Sequence, residues 1–482
     1  MGFGGIAGRL LSMGLGVALM IEGGTAQTVT GPIAGNPTLS QGAFSKAPAG
    51  YLIQEFFLSG SAAAYGLSDE TLSVTGHAPF KTRLVVVRPA DDKTFNGTVI
   101  VEWLNVSAGT DGAPDWTYLH RELVRKGYGW VGVSAQKVGI EGGPIGMPGL
   151  PPLKKADAQR YASLQHPGDA YAYDIFSKAG QAARSASILG GLKAKHVLAA
   201  GESQSAGFLT TYVNTVGRSG KIFDGYLIHS RFAGAAPLDG DFMTSMQSIA
   251  KGEPLKPVHI RSDIEAPVLT IITETDLASP LVGYVRARQP DTDHLRTWEI
   301  AGTAHADTYT LGAGFVDDGT ASIDMLAKAY AATDMVLGQK LPKPMNAAPQ
   351  HHYVMQAALR ALDRWVRTGE APPIAERLQV SDSGALVLDA HGNARGGVRS
   401  PWVDVPTAQL SGLGQDGPGL LRLFGSTQPF DDAKLAALYP NGREQYLAQF
   451  RSSLQSAIAA GFILDDDREE IEALAKAMYP AD

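Results

Sequence analysis

One serine lies in a short glycine-bounded turn between two apolar segments of the chain. The turn reads GESQSAG (residues 201–207), with Ser203 at its third position, and it lies between HVLAA and FLTTYVNTV. A serine at such a strand-to-helix turn exposes its hydroxyl, and the helix N-terminus that follows directs amides toward a developing anion. Position 205 is serine where the motif G-x-S-x-G has glycine, but it is still small. The pattern predicts that Ser203 is a nucleophile; an ordinary turn is the structural alternative.

Two acids and a histidine follow this serine in chain order, each just after a predicted strand. PVLTIIT runs into Glu274 and Asp276, and TWEIA leads to His305. A nucleophilic serine needs a base that accepts its proton and an acid that orients that base. Serine, then acid, then histidine is one of the orders in which such triads occur along a chain. We predict that His305 is the base and that one of the two acids is its partner.

Glu274 and Asp276 compete for the role of the acid. They are two positions apart, so along a strand both side chains would point the same way. Strand pairing is expected to end near Thr273, which leaves Asp276 in the loop, where it can meet an imidazole from the neighbouring loop. We therefore predict Asp276 as the acid and keep Glu274 as the alternative acid. The other role for Glu274 is to bond backbone amides and support the loop.

An anion that forms at an attacked carbonyl needs two hydrogen-bond donors, which make up an oxyanion hole. The Gln204 amide, directly after the serine, is one candidate. The second is expected in the loop after the predicted strand TVIVEWLNV, at Leu104 or Asn105. The Asn105 side chain is either a further donor or a cap of that loop, because asparagine commonly bonds nearby backbone in turns.

The elements that must position these residues alternate between strands and helices from about residue 51 to 310. Strands are predicted at 51–59, 82–88, 98–106, 129–134, 196–200, 223–229, 267–273 and 297–301. Helices are predicted at 116–126, 169–189 and 353–368, and directly after Ser203. This alternation predicts an α/β fold with a mostly parallel central sheet and helices on both faces. The carboxyl ends of the strands share one edge, so Ser203, Asp276 and His305 are expected to meet there.

Three stretches interrupt the alternation and are predicted to be cap insertions over this edge: 135–168, 231–262 and 306–350. Long insertions in a compact domain are usually functional or lid-like. The catalytic domain is predicted to cover residues 27–370. Residues 371–482 are predicted to be an α+β extension packed on it, without a catalytic pattern of its own.

Five segments together resemble a bacterial α/β-hydrolase-domain family of secreted serine esterases. They are VEWLNVSAG (101–109), GDAYAYDIFSKAG (168–180), AGESQSAGFLTTYVN (200–214), PVLTIITETD (267–276) and RALDRWVRTGEAPP (360–373). The resemblance covers roughly residues 50–400. It implies an α/β-hydrolase fold and ester hydrolysis, within a family whose substrates are poorly defined.

The composition argues against several other functions. The 482-residue chain has a net charge of −7 and no long basic run, which argues against nucleic acid as a partner. It has no cysteine, which excludes a thiol nucleophile, disulfides and thiolate metal sites. The nucleotide-binding motif G-x-G-x-x-G does not follow any strand, so we expect no cofactor. His351 and His352 lack an acid-rich flank and are expected at a loop or helix start instead of a metal site.

The N-terminus has the pattern of a secretory signal peptide. Arg9 precedes the apolar run Leu10–Ile21, and Gly24 and Ala26 supply small residues at the −3 and −1 positions of a cleavage site. The run is about half of the roughly 20 residues that span a bilayer. We predict a signal peptide over residues 1–26, a periplasmic or secreted protein, and no membrane span.

These patterns predict a serine hydrolase that cleaves a small-molecule carboxylic ester through an acyl-enzyme intermediate. A lactonase is a close variant of this function. A hydrolase-fold protein that uses its cleft for binding, or for a cofactor-free lyase reaction, is the alternative from another class.

Overall fold

The computed structural model describes most of the chain after the predicted signal peptide. The described residues are 27–38, 47–144, 146–147, 149–185, 187–241, 251–279, 282–336, 338–415 and 419–480. The predicted signal peptide, residues 1–26, lies outside them. Within these ranges, none of the helices has both the length and the apolar character that crossing a membrane requires.

Nine strands of the described residues form one central sheet. In chain order they are β1 Thr28–Thr30, β2 Tyr51–Ser68, β3 Thr71–Pro89, β4 Thr98–Trp103, β5 Gly129–Val133, β6 His196–Glu202, β7 Gly225–His229, β8 Val268–Thr273 and β9 Leu295–Ile300. Their order across the sheet is β1-β2-β3-β5-β4-β6-β7-β8-β9. The first three pair antiparallel, and the strands from β5 to β9 pair parallel. The predicted α/β fold with a mostly parallel sheet is confirmed.

Helices cover both faces of this sheet. In chain order the described helices are α1 Pro114–Arg125, α2 Lys137–Glu141, α3 Leu153–Ala156, α4 Ala172–Arg184, α5 Gln204–Asn214, α6 Val216–Gly220, α7 Glu274–Ala278, α8 Gly314–Val316, α9 Ile323–Ala329, α10 Gln350–Thr368, α11 Pro401–Asp404, α12 Asp432–Leu438, α13 Gly442–Ala459 and α14 Arg468–Met478. Two small hairpins pair β10 Met335–Val336 with β11 Gln339–Lys340, and β12 Ala408–Ser411 with β13 Ser426–Pro429.

Alternate residues of the parallel strands face opposite sides of the sheet, which produces two cores. Ile100 in β4 belongs to the core beneath α1 and α10. Its neighbours Val99 and Val101 belong to the core beneath α4 and α5. Because both faces of the sheet are covered, the parallel strands are buried along nearly their whole length, and most of their residues are apolar.

The hairpin of β2 and β3 is longer than its sequence predicts. The strands extend to Ser68 and begin again at Thr71, whereas apolar character predicts only 51–59 and 82–88. The added part of β2 reads GSAAAYGLS, and small residues have weak strand preference. The turn residues Asp69 and Glu70 both have positive φ, at 46° and 63°, which non-glycine residues rarely adopt. The turn therefore lacks the glycine that would reveal it in the sequence.

Residues after α10 pack along β9, which ends the sheet on that side. The N–H of Val398 donates to the carbonyl of Glu299 at 2.6 Å, and the N–H of Ala301 donates back to Val398 at 3.1 Å. Farther along, Asp466 bonds Arg360 of α10 at 2.6 Å. The last residues therefore contact both the sheet edge and its covering helix. The division at residue 370 stays a prediction.

Candidate active site

The turn after β6 gives Ser203 a backbone conformation that few non-glycine residues adopt. Its φ is 59° and its ψ is −117°, and its N–H donates to the carbonyl of His229, at the end of β7, over 3.0 Å. Position 201 favours glycine, because a Cβ there would make a tight contact of 3.1 Å with the carbonyl oxygen of Ser205. Helix α5 follows at once, so the serine lies at a helix N-terminus. The strand, the turn and the helix lie where the sequence motif places them.

His305 lies between Ser203 and Asp276 in a hydrogen-bonded chain. Its Nε2 is 2.8 Å from Oγ of Ser203, and its Nδ1 is 2.6 Å from Oδ1 of Asp276. The other oxygen of Asp276 accepts from the N–H of Thr273 at 2.8 Å and from its hydroxyl at 2.7 Å. His305 is 5% exposed and Asp276 is fully buried. The structure thus brings the three predicted residues together in one hydrogen-bonded chain.

Glu274 points away from the hydrogen-bonded chain of Ser203, His305 and Asp276, and its carboxylate accepts from backbone amides. One of its carboxylate oxygens accepts from the N–H of Gly302 at 2.6 Å, and the other accepts from the N–H of Gly412 at 2.8 Å. Strand β8 ends at Thr273, whose side chain caps the short helix α7. The two acids are therefore on a helical turn, and the strand alternation that would have aimed both at the imidazole does not apply.

A third carboxylate, Glu202, faces the imidazole on the side of the serine. Its Oε1 lies 3.3 Å from Nε2 of His305, and its Oε2 accepts from the side-chain amide of Asn105 at 3.1 Å. Sequence reasoning missed this residue because the position before the serine was treated as a variable position of the motif. The available indication was an acid directly beside a predicted nucleophile.

Burial and neighbouring charges oppose one another in this cluster. Burial by itself would lower the pKa of His305, but Asp276 and Glu202 raise it to about 9. Burial raises the pKa of Glu202 to about 8, against the effects of His305 and Asn105. Burial would also raise the pKa of Asp276, but His305 and the two donors of Thr273 bring it below its usual value. Asp276 is thus the anion, and Glu202 and His305 compete for a proton.

The predicted oxyanion donors differ in what their amides contact. The Gln204 N–H is at the first position of α5, where a helix offers no internal acceptor. The Leu104 N–H already donates to Val133 at 3.2 Å, and the Asn105 N–H donates to Gly112 at 2.9 Å. The loop after β4 turns back on itself between residues 105 and 112, so these two amides are used inside the protein. The Asn105 side chain is likewise engaged with Glu202.

The loop that carries His305 is held by residues from distant parts of the chain. The N–H of His305 donates to the hydroxyl of Thr275 at 3.1 Å. That hydroxyl donates to the carbonyl of Gly412 at 2.6 Å. The side-chain amide of Asn346 donates to the carbonyl of Gly302 at 2.9 Å. The position of the imidazole therefore depends on the C-terminal segment as well as on the sheet.

The three predicted insertions each contact this edge of the sheet. Phe232, from the second, stacks on the His305 ring with centroids 5.3 Å apart. Met147, from the first, donates its N–H to Ala108 in the loop after β4 at 3.0 Å. Asn346, from the third, bonds the His305 loop as described above. Residues 242–250 lie outside the described residues, and the cap function of the insertions stays a prediction.

One group among the described residues has three potential metal ligands. Ligand atoms of Asp317, His352 and Glu470 lie within 4.8 Å of one another. Arg121 forms ion pairs with both acids, so its guanidinium already supplies a positive charge there. The cluster is therefore better explained as an ion-pair network. His351 and His352 lie in the first turn of α10.

Comparison with known proteins identifies one sequence family. The family described as alpha/beta hydrolase domain matches residues 24–473 of this chain. None of the curated proteins matches the sequence.

The solved structures to which this chain is similar include several esterases. Esterase Est22 is 10% identical with a TM-score of 0.27; the match covers 47% of this chain and 64% of Est22. Fungal esterases from Rhizomucor miehei give 16% identity and a TM-score of 0.29, with 67% of this chain and 86% of theirs covered. A thermostable esterase from Pseudomonas putida ECU1011 is 14% identical with a TM-score of 0.25; the match covers 47% of this chain and 65% of that esterase. At identities and TM-scores this low, these likenesses say nothing about substrate or mechanism.

Replacing Glu202 with glutamine is expected to move the acidic limb of the kcat/KM profile to lower pH. The carboxylate favours the protonated imidazole 3.3 Å away, so a neutral amide lets His305 lose its proton at lower pH. We expect a shift of about one unit, measured from pH–rate profiles with a nitrophenyl ester. Glu469→Gln, at an exposed position of α14, is the matched control and should leave the limb in place. An unchanged limb in Glu202→Gln would show that Glu202 does not act on the base.

Gly412→Ala tests whether the C-terminal segment holds the His305 loop. A Cβ at position 412 would lie 2.4 Å from the carbonyl oxygen of Thr303 and 2.5 Å from Cβ of Glu274. Overpacking of this kind costs about 1–3 kcal/mol, so both the thermal midpoint and ester turnover should fall. Gly146→Ala, with nothing within 4 Å of its added Cβ, is the control. Wild-type turnover in Gly412→Ala would contradict this role of the segment.

Proposed function

The chain belongs to the alpha/beta hydrolase domain family, and on that premise we propose that it is a serine hydrolase that cleaves a small-molecule carboxylic ester. One observation carries the proposal: the chain of contacts from Ser203 through His305 to Asp276, at 2.8 Å and 2.6 Å. These are the distances at which an imidazole can accept the proton of a serine hydroxyl while a carboxylate orients it.

The proposed reaction has two halves that use His305 in opposite directions. In the first, Nε2 of His305 accepts the Ser203 proton while Oγ attacks the ester carbonyl. The tetrahedral anion then collapses, and the alcohol leaves with the proton from Nε2, so the acyl group stays on Ser203. In the second, His305 takes a proton from water, the hydroxide oxygen attacks the acyl carbon, and Ser203 leaves with that proton. Asp276 stays ionised and stabilises the imidazolium in both halves.

Two amides are proposed to bind the oxyanion. The Gln204 N–H is retained from the sequence prediction, because it begins α5 and is next to the nucleophile. For the second donor we propose the Val106 N–H in place of Leu104 or Asn105. Among the described residues the Val106 amide has no acceptor, whereas those of Leu104, Asn105 and Ser107 are engaged.

The class of ester and the location of the protein are parts of the same proposal. Lactones are a close variant of the substrate, because the same acyl-enzyme chemistry opens a cyclic ester. The signal-peptide pattern of residues 1–26 supports export to the periplasm or the medium. Sequencing the mature N-terminus of the exported protein should find it near Gln27; an intact Met1 would contradict export.

Labelling with a fluorophosphonate probe tests the nucleophile directly. The wild-type protein should form one covalent adduct at Ser203, since only an activated serine attacks the probe. Ser203→Ala should lose both the adduct and ester turnover while keeping its fold. Ser205→Ala changes a neighbouring serine of the same turn and should keep both. A wild-type protein that does not label would favour a binding function, and one that labels without hydrolysing any ester would favour a lyase.

The two acids are distinguished by isosteric amide variants. Asp276→Asn should lower kcat by about three to four orders of magnitude, because an amide cannot hold His305 in the tautomer that accepts the serine proton. Glu274→Gln should lower it about tenfold or less, through a less ordered loop. Turnover measured in variants of verified fold decides between them, and the opposite ranking would move the acid role to Glu274.

A further inference from the structure

Behind the triad, four fully buried side chains form a second hydrogen-bonded chain. Oδ1 of Asp115 lies 2.9 Å from Nδ1 of His229, and Nε2 of His229 lies 3.0 Å from Nε2 of His351. Nδ1 of His351 lies 3.0 Å from Oδ2 of Asp307. All four are 0% exposed. The four residues come from α1, the end of β7, α10 and the loop after β9.

Counting protons shows that this chain cannot consist of two ionised acids and two neutral imidazoles. Its three contacts each need one proton between the two heavy atoms. Two neutral imidazoles supply one N–H each, and two carboxylates supply none. Without a third proton, either two nitrogen lone pairs would face each other at 3.0 Å, or a nitrogen lone pair would face a carboxylate.

The surroundings of Asp307 fix the direction of donation. Its Oδ1 accepts from the N–H of Thr310 at 2.9 Å and from the Thr310 hydroxyl at 3.0 Å. With donors on that oxygen, Asp307 is the anion and accepts from Nδ1 of His351 through its other oxygen. His351 is then left with a lone pair on Nε2, which accepts from Nε2–H of His229. The third proton then lies between Nδ1 of His229 and Oδ1 of Asp115: either His229 is an imidazolium that donates to the carboxylate, or Asp115 is protonated and donates to Nδ1.

The surroundings of Asp115 favour the protonated acid. Its Oδ2 is buried with no hydrogen-bond donor among the described residues. Burying an oxygen without a donor costs more free energy for an ionised carboxylate than for a protonated carboxyl group. Neighbouring Glu102 accepts from the amides of Asp115 and Trp116 and from the indole of Trp130. Burial and the neighbouring Asp115 raise the pKa of Glu102, and these three hydrogen bonds lower it. We place the anion of this pair at Glu102, because Asp115 lacks such donors, and that charge disfavours a second one. Burial raises the pKa of Asp115 to about 8 and lowers that of His229 well below its usual value.

We propose that Asp115, His229, His351 and Asp307 form a hydrogen-bonded chain that donates in one direction from a protonated Asp115, and that this chain positions the two halves of the active site. The carbonyl of His229 accepts the N–H of Ser203 at 3.0 Å. Asp307 is two residues after His305 in the same loop. The chain therefore joins the backbone behind the nucleophile to the loop of the base. Its positioning role rests on the proposed hydrolase function; its proton arrangement does not.

Other polar and charged groups around this hydrogen-bonded chain affect the protonation of its four members. His229 lies within electrostatic reach of Asp276 and His305, and Asp115 within that of Glu202. Tyr118 packs its ring 4.2 Å from that of His351 and bonds the Thr310 hydroxyl. Because the pKa of Asp115 is higher in the folded chain than in the unfolded chain, the folded protein holds an extra proton between about pH 4 and 8. The contribution of Asp115 to stability is therefore lost as pH rises through that range.

Nitrogen-15 NMR of the histidine rings tests the proton arrangement without any enzyme activity. In Ser203→Ala protein near pH 7, His229 should be neutral with its proton on Nε2, and His351 should be neutral with its proton on Nδ1. The signals are assigned with His229→Gln and His351→Gln. The same tautomer in both rings, or an imidazolium in either, would overturn the proposal even if the protein is an esterase.

Asparagine variants at the two ends test the direction and the positioning role. Asp115→Asn keeps a donor toward His229, so it should retain most of the kcat that Asp115→Ala loses. As the pH rises from 5 to 8, the urea concentration at which half of the protein is unfolded should fall less for Asp115→Asn than for wild type. Asp307→Asn should lower kcat at least about tenfold, because one amide cannot accept from both Thr310 and His351. Equal losses in the two asparagine variants, or the reverse ranking, would overturn the proposal. If the wild-type protein itself hydrolyses no ester, that result would instead count against the proposed function.

Discussion

The backbone of Ser203 is the constraint to which the rest of the site is fitted. A non-glycine residue at φ 59° and ψ −117° costs of order 1–3 kcal/mol and persists only where its neighbours determine it. Here the neighbours are the His229 carbonyl that accepts its N–H, the helix that begins with Gln204, and the close approach of Gly201 to Ser205. The parallel sheet supplies all three contacts, since β6 and β7 lie side by side and α5 leaves β6 directly. Strain at Ser203 is thus offset by contacts that the sheet and α5 supply.

The interior around this turn is rich in acids, and local donors decide which of them are ionised. Glu274 and Asp276 accept from backbone amides or the Thr273 hydroxyl, and Glu102 accepts from two amides and an indole. A carboxylate with several donors can remain an anion despite burial. Among the described residues, one oxygen of Asp115 has no donor, and the partners of the Glu202 carboxylate are the Asn105 side chain and the imidazole. With few donors to oppose burial, the pKa of each of these two acids is raised to about 8, and Glu202 competes with His305 for its proton.

The sequence was most informative where side chains that can take part in catalysis come directly after predicted strands. The meeting of Ser203, Asp276 and His305 could be predicted because each follows an apolar strand, and parallel strands end at one edge; their catalytic roles stay a proposal. The choice between Asp276 and Glu274 could not rest on strand alternation, because the Thr273 cap turns the chain into a helix there. Glu202 was missed because a motif treats its position as variable, and the loop geometry that occupies the Leu104 amide depends on pairing with residues far along the chain.

The C-terminal segment was the least predictable part of the structure. The order of the strands in the sheet explains why this segment packs where it does. His305 follows β9, the last strand of the sheet, whose outer side would otherwise expose unpaired backbone groups. Val398 pairs with that strand, and Gly412 bonds both Glu274 and Thr275 behind the His305 loop. Neither contact has a local sequence pattern, since both join residues far apart in the chain. An imidazole at the edge of a sheet needs such a cover to stay within 2.8 Å of the serine, and this accounts for packed structure beyond the last core helix.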